Sequence, residues 1–419
     1  MTETQAIIDS YQRARAENVR GALATVVRVE GSAYRRPSAR MFITETGQAT
    51  GVVSGGCLER DVCERAAKVI RTGEPIIVTY DTTSDNDIVW GLGIGCNGVI
   101  EVLIEPAGND CMDDLMTLLA ECSKSRRRGA LATVIHQEGE TKATIGTRAL
   151  FYPSGLIGGV VISPNIFDDL RDTLKNGAST IKRCEVDGGS IEVFIEIIEP
   201  QVPLVIFGAG DDVLPILAFA RNLGWHTTIV DTRARPASIE RFREADAVLL
   251  SRPEAVSGNL ALTESSAVVL MTHNYLHDLE LLKLLLCRRV RYLGCLGPKR
   301  RTERLLVELS GGAVAAADAY LRQVHAPAGL DIGAETPSEI AFSIIAEVKA
   351  ILTGREGGLL RDRKGSIHGE VSSDLVSSTP SVGMNMSFTD GVQTRAAVLR
   401  GQYHHAVAGG SAACDLSRS

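Results

Sequence analysis

At 419 residues, 44% hydrophobic and 23% charged, the chain exceeds one ordinary core and divides into two or three domains. A formal net charge of −7 argues against nucleic acid or an anionic membrane as the main partner. No charged leader with an apolar core opens the sequence and no run of about 18 apolar residues occurs. The expected location is therefore the cytoplasm, where nine cysteines read as free thiols.

Ile7, Ile8, Tyr11 and Ala14 recur at helical spacing over 3–18. The stretch Arg20-Gly21-Ala22-Leu23-Ala24-Thr25-Val26-Val27 then suits a strand, with a glycine start and a β-branched end. The same text returns 108 positions later as Arg128-Gly129-Ala130-Leu131-Ala132-Thr133-Val134-Ile135. At that displacement Gly31 meets Gly139, Arg40 meets Arg148, and Gly51-Val52-Val53 meets Gly159-Val160-Val161. Both copies close on nearly the same strand, Gly98–Pro106 and Gly189–Glu196. Residues 1–106 and 107–200 are thus expected to be two copies of one α+β unit.

The second copy lacks four features of the first. Asn165 stands at the position of Cys57, Ile162-Ser163-Pro164 replaces Ser54-Gly55-Gly56, and Ala143-Thr144-Ile145 replaces Arg35-Arg36-Pro37. The Gly-rich run containing Gly91, Gly93, Gly95 and Cys96 has no counterpart except its last glycine, Gly98. Scaffold is shared and the special loops are not, so copy one is read as active and copy two as structural.

From Pro203 short apolar strands alternate with helical segments, which predicts a doubly wound parallel α/β sheet over 201–368. Thr336-Pro337-Ser338-Glu339 predicts a capping box opening a last helix. Beyond 369 small polar residues without periodicity predict a disordered tail.

Gly208-Ala209-Gly210 after a strand, with Asp231 ending the next one, resembles the dinucleotide fingerprint. Val213 in place of the third glycine and the acids Asp211 and Asp212 weaken that match. His273 lies at the same sheet edge without a Ser or carboxylate partner assignable from spacing, and Cys295 there stays undecided. In copy one, Arg35, Arg36 and Arg40 supply guanidinium forks, while Gly55, Gly56, Gly93 and Gly95 supply free backbone N–H groups. Such groups suit a phosphorylated, pterin-like or other anionic ligand. Cys57 and Cys96 are the thiols set in those loops, and helix starts such as the one after Cys57 favour negative charge. Cys63, Cys111, Cys122, Cys184 and Cys287 read as small buried hydrophobes.

Taken together, Gly31–Pro37, Ser54–Glu59, Gly91–Cys96, Phe207–Asp212, Met271–Asn274 and Asp331–Pro337 resemble the XdhC/CoxI accessory proteins of molybdenum hydroxylases such as xanthine dehydrogenase. The resemblance runs to about residue 368. It implies binding of the molybdenum cofactor, protection during sulfuration, and insertion into a xanthine dehydrogenase-type enzyme. It also implies a Rossmann-like C-terminal domain and a homodimer; sulfuration would bring in a cysteine desulfurase. On this reading Cys57, with Cys96, contacts the molybdenum or its labile sulfur, since thiolate is a soft ligand. Arg35, Arg36 and the glycine loops hold phosphate and pterin, and the half bearing Gly208, Gly210, Asp231 and His273 takes a nucleotide. The expected role is a cofactor chaperone rather than a turnover enzyme. Two rivals remain: an NAD(P)-dependent oxidoreductase using Asp231 and His273, and a docking module that recognises a partner enzyme.

Overall fold

The computed structural model describes residues 2–81, 98–312 and 314–363. The Gly91–Cys96 run and the expected tail lie outside the described residues. The chain begins with helix α1 (Glu3–Ala16), whose start is fixed by the Thr2 hydroxyl accepting from the Gln5 amide at 2.9 Å. There follow strands β1 (Gly21–Gly31), β2 (Arg40–Thr44) and β3 (Ala49–Gly51), helix α2 (Glu59–Thr72), then β4 (Ile76–Asp81) and β5 (Gly98–Pro106). They form an antiparallel sheet in the order β3-β2-β1-β5-β4. Val62, Ala66, Val69 and Ile70 make one stripe of α2 at helical spacing, and that stripe packs on Ala22, Ala24 and Val26 of β1.

Helix α3 (Asp110–Ser125) opens the second copy, with β6 (Gly129–Gly139), β7 (Arg148–Phe151), β8 (Ile157–Gly159), α4 (Ile166–Asn176), β9 (Thr180–Val186) and β10 (Gly189–Ile198). Its sheet order, β8-β7-β6-β10-β9, repeats the first. The α+β unit is duplicated in space as well as in sequence. The two copies share a core in which α1 residues Ile7, Ile8 and Tyr11 meet α3 residues Leu115, Leu118 and Leu119. Val27 and Leu103 of one copy pack with Ile135 and Phe194 of the other.

Two reciprocal ion pairs cross the same interface. Arg40 of copy one pairs with Glu196 of copy two, and Arg148 of copy two with Glu105 of copy one, all four side chains buried. Arg40 is therefore corrected from ligand fork to internal strut. Its presence in both copies is explained by the pairing, because each sheet must neutralise the other's buried carboxylate.

The remaining strands, β11 (Pro203–Phe207), β12 (His226–Asp231), β13 (Ala247–Leu250), β14 (Ala267–Leu270) and β15 (Tyr292–Cys295), form a parallel sheet ordered β13-β12-β11-β14-β15. Helices α5 (Val213–Asn222), α6 (Ala237–Arg241), α7 (Val256–Asn259), α8 (Tyr275–Leu285), α9 (Lys299–Leu309), α10 (Val314–Leu321) and α11 (Pro337–Leu352) accompany it. The order reverses between β11 and β14, the switch point at which such sheets open a crevice. The expected capping box at Thr336 and Glu339 opens α11. Among the described residues, no helix is long and apolar enough to cross a membrane.

Candidate functional site

The loop from Ser54 to Glu59 is built around one hydroxyl. Ser54 Oγ accepts from the Gly56 amide at 3.2 Å and the Leu58 amide at 3.1 Å, and the Cys57 thiol donates to it at 3.5 Å. Ser54 in turn donates its hydroxyl to Glu59, and its amide donates to the same carboxylate at 2.7 Å. Burial pushes the Glu59 carboxyl up, but the Ser54 hydroxyl and amide outweigh it and hold the group below its ordinary range. Gly56 makes the turn possible at φ +109, and nothing would touch a side chain there.

The expectation of free amides in this loop is corrected by these bonds. Those of Ser54, Gly56 and Leu58 are engaged inside the loop rather than offered to a phosphate. What the loop presents is Cys57, half-buried against the apolar core of copy one. Copy two has Ile162 and Phe167 where copy one has Ser54 and Glu59, so the lock is absent. Asn165 there opens α4 without a side-chain cap.

Arg35 sits in a neighbouring cleft of about 330 Å³ lined by Glu3, Tyr34, Arg36, Ser38 and Arg40 among others. Glu3 joins the parts. Its carboxylate accepts from the Arg35 guanidinium at 2.6 Å and from the Val52 amide at 3.0 Å. Tyr34, 66% exposed, lies against Gly55, where an added Cβ would come 3.3 Å from its ring. The structure thus brings the Arg35 segment beside the Cys57 loop, as a site requires. Arg36 also lines a second groove of about 630 Å³, shared with Arg28 and with Ser179 and Glu199 of copy two.

Gly93, Gly95 and Cys96 belong to residues 82–97, outside the described residues, but the ends of that stretch are placed. Asp81 pairs with Val99 across β4 and β5, and Gly98 packs so tightly on the Ser32 backbone that a side chain would collide with it. Gly98 is also the register partner of Gly31 on β1. Copy two closes the equivalent hairpin with Asp187-Gly188 alone.

At the parallel sheet's switch point, Gly208 follows β11 with φ +150, and a Cβ there would strike the Met271 carbonyl beyond β14. Gly208 lets these segments approach closely, and at Gly210 a Cβ would strike the Asp212 carboxylate. His273, at φ +56, has a carboxylate partner after all: Asp212 lies 2.7 Å from its Nε2. Spacing could not find this pair, because 61 residues separate its members and only the pairing of β11 with β14 brings them together. Val213, in the third-glycine position, is fully buried and spaces α5 from the sheet.

Asp231 is corrected as a ribose ligand. It is 1% exposed, and its carboxylate accepts from the Arg233 amide, the Arg235 amide and guanidinium, and the Ser238 hydroxyl. Burial raises its pKa, and those donors more than reverse the effect, leaving it below the ordinary carboxylate value. The group shapes the turn after β12. Cys295 is buried, and burial pushes its thiol up to about 12, which makes it a packing residue. Cys122 is likewise buried, while Cys63, Cys111 and Cys184 are half-buried; Cys287, expected inside, is exposed.

The XdhC and CoxI family matches residues 14–81 and 122–185, and the XdhC Rossmann domain family matches residues 204–348. A Bacillus subtilis protein that bears the name of a probable xanthine dehydrogenase subunit is 32% identical over 330 residues, 78% of this chain and 91% of its own. The chain belongs to the XdhC and CoxI family. More distantly, the Escherichia coli molybdenum cofactor insertion chaperone PaoD is 21% identical over 80% of this chain and 84% of its own. A crystal structure described as a xanthine dehydrogenase from Bacillus halodurans superposes with a TM-score of 0.68 at 29% identity, covering 85% of this chain and 97% of its own. The two family matches divide where the folds divide, with the duplicated α+β units under one and the parallel sheet under the other.

Proposed function

We propose that this protein is an accessory factor that binds the molybdenum cofactor, shields it during sulfuration and inserts it into a xanthine dehydrogenase-type molybdenum hydroxylase. One observation carries the reading. Cys57 stands on a hydrogen-bonded loop beside an arginine-bearing cleft, and the sister copy keeps the scaffold while lacking the cysteine, the lock and Arg35. A feature absent from one copy is dispensable for folding that unit, so its presence in the other answers to a ligand. The names borne by the Bacillus subtilis relative and by PaoD support the same role.

In this reading Arg35 and Arg36 hold the phosphate and pterin, with Gly55, Gly56, Gly93 and Gly95 shaping the approach. Cys57, with Cys96, would offer thiolate sulfur, a soft ligand, to the molybdenum or to its labile sulfur. Gly208, Gly210 and the Asp212–His273 pair would receive a nucleotide-like end of the cargo. Residues 1–106 would bear the cargo, 107–200 brace them, and 201–368 face the nucleotide end or the client. The role fits a cytoplasmic homodimer supplied by a cysteine desulfurase.

Purified protein incubated separately with molybdopterin cofactor and with NAD(H), then desalted, tests the reading. Retention of the cofactor, reduced by Cys57→Ala, is the expected result. Retention of NAD(H) alone, unaltered by Cys57→Ala, would sink it in favour of an oxidoreductase.

A further inference from the structure

Glu3 makes an arrangement that the scaffold does not need. Its two carboxylate oxygens divide between a guanidinium N–H of Arg35, at 2.6 Å, and the main-chain N–H of Val52, at 3.0 Å. A guanidinium and a backbone amide converging on two oxygens of one anion form the donor set that recognises a phosphate. In copy two the amide of Val160, the counterpart of Val52, bonds to the Arg148 carbonyl at 2.7 Å and stays in the hairpin. In copy one that amide is turned out of the hairpin and given to Glu3. Copy two has Cys111 for Glu3 and Ala143 for Arg35, although α3 keeps the apolar stripe of α1. All three members of the arrangement are thus particular to copy one.

We propose that Glu3 is a built-in competitor: its carboxylate occupies an oxyanion subsite formed by Arg35 and the Val52 amide, and must swing away for a phosphate-bearing ligand to bind. The inference rests on reading this cleft as a site for a phosphorylated cargo. The Glu3 and Arg35 side chains are 37% and 28% exposed, so water screens the pair and its hold is weak enough to be displaced. An anion that binds must offset the displaced contact, which excludes small or weakly charged competitors from the cleft.

The test is a phosphate titration of the full-length protein at low ionic strength, followed by calorimetry or by phosphorus NMR line width. Glu3→Gln, which keeps the helix start, and Glu3→Ala should both bind inorganic phosphate about fivefold more tightly than the unaltered chain. Adding Arg35→Ala to either should abolish the gain. Equal or weaker phosphate binding by both Glu3 variants, with the helix content unchanged by circular dichroism, would overturn the proposal and make Glu3 a clamp. The two readings fail separately. Loss of molybdopterin retention with the phosphate gain intact would remove the cofactor role and leave the competitor; retention without the gain would do the reverse.

Discussion

Replacing Ser54 by alanine removes the hub of the cysteine loop and should be costly out of proportion to its size. The substitution deletes the acceptor for the Gly56 and Leu58 amides, the latter buried, and one of the two donors from Ser54 to Glu59. Each neutral bond is worth about 1 kcal/mol net, and the carboxylate bond about 2 kcal/mol. Water can reach the exposed Gly55–Gly56 edge and recover part of the loss, so the expected destabilisation is about 2–3 kcal/mol. Urea unfolding followed by circular dichroism measures it, with Ser54→Thr as the control that keeps the hydroxyl. Cofactor retention should fall alongside, because Cys57 would no longer be held in place. A change under about 0.5 kcal/mol, or equal losses for alanine and threonine, would refute the hub role of the hydroxyl.

Arg148→Ala leaves Glu105 buried without a partner and should cost about 3–5 kcal/mol, whereas Arg148→Met combined with Glu105→Leu should recover most of it. A double-mutant cycle by urea unfolding measures the coupling. Glu59 is held below its ordinary value of 4.5, so its contribution is full above that pH and disappears as the pH falls through the depressed folded value. The stability gap between the unaltered chain and Glu59→Gln should therefore shrink on acidification below about pH 4.5. Under iodoacetamide at neutral pH, peptide mapping should find Cys287 labelled early and Cys122 and Cys295 protected until the chain unfolds, since burial raises both of their pKa values to about 12. Asp231→Ala should lower the thermal midpoint by loosening the turn after β12, and calorimetry should find binding of NAD(H) no weaker than in the unaltered chain, since the Asp231 carboxylate is engaged by that turn.

The duplication, the parallel sheet and the cap of α11 could all be read along the chain. Those features are written in local periodicity and in a repeat at fixed offset, which need no knowledge of what touches what. The same offset singled out Cys57 and Arg35 as residues the fold can do without. The roles of the charged and polar side chains emerged only once the surfaces were seen together. Arg40 resembled Arg35 in the sequence, yet the apposition of two sheets buries it on Glu196, because the sister copy must supply the counter-charge. Asp231 carried the right spacing for a ribose, but the turn that follows folds four donors onto it. His273 looked alone until the switch point carried Asp212 to it. Glu3, at the start of a helix that reads as plain scaffold, reaches across to Arg35 and Val52. Long-range polar contacts depend on which surfaces meet, and no periodicity along a single chain encodes that.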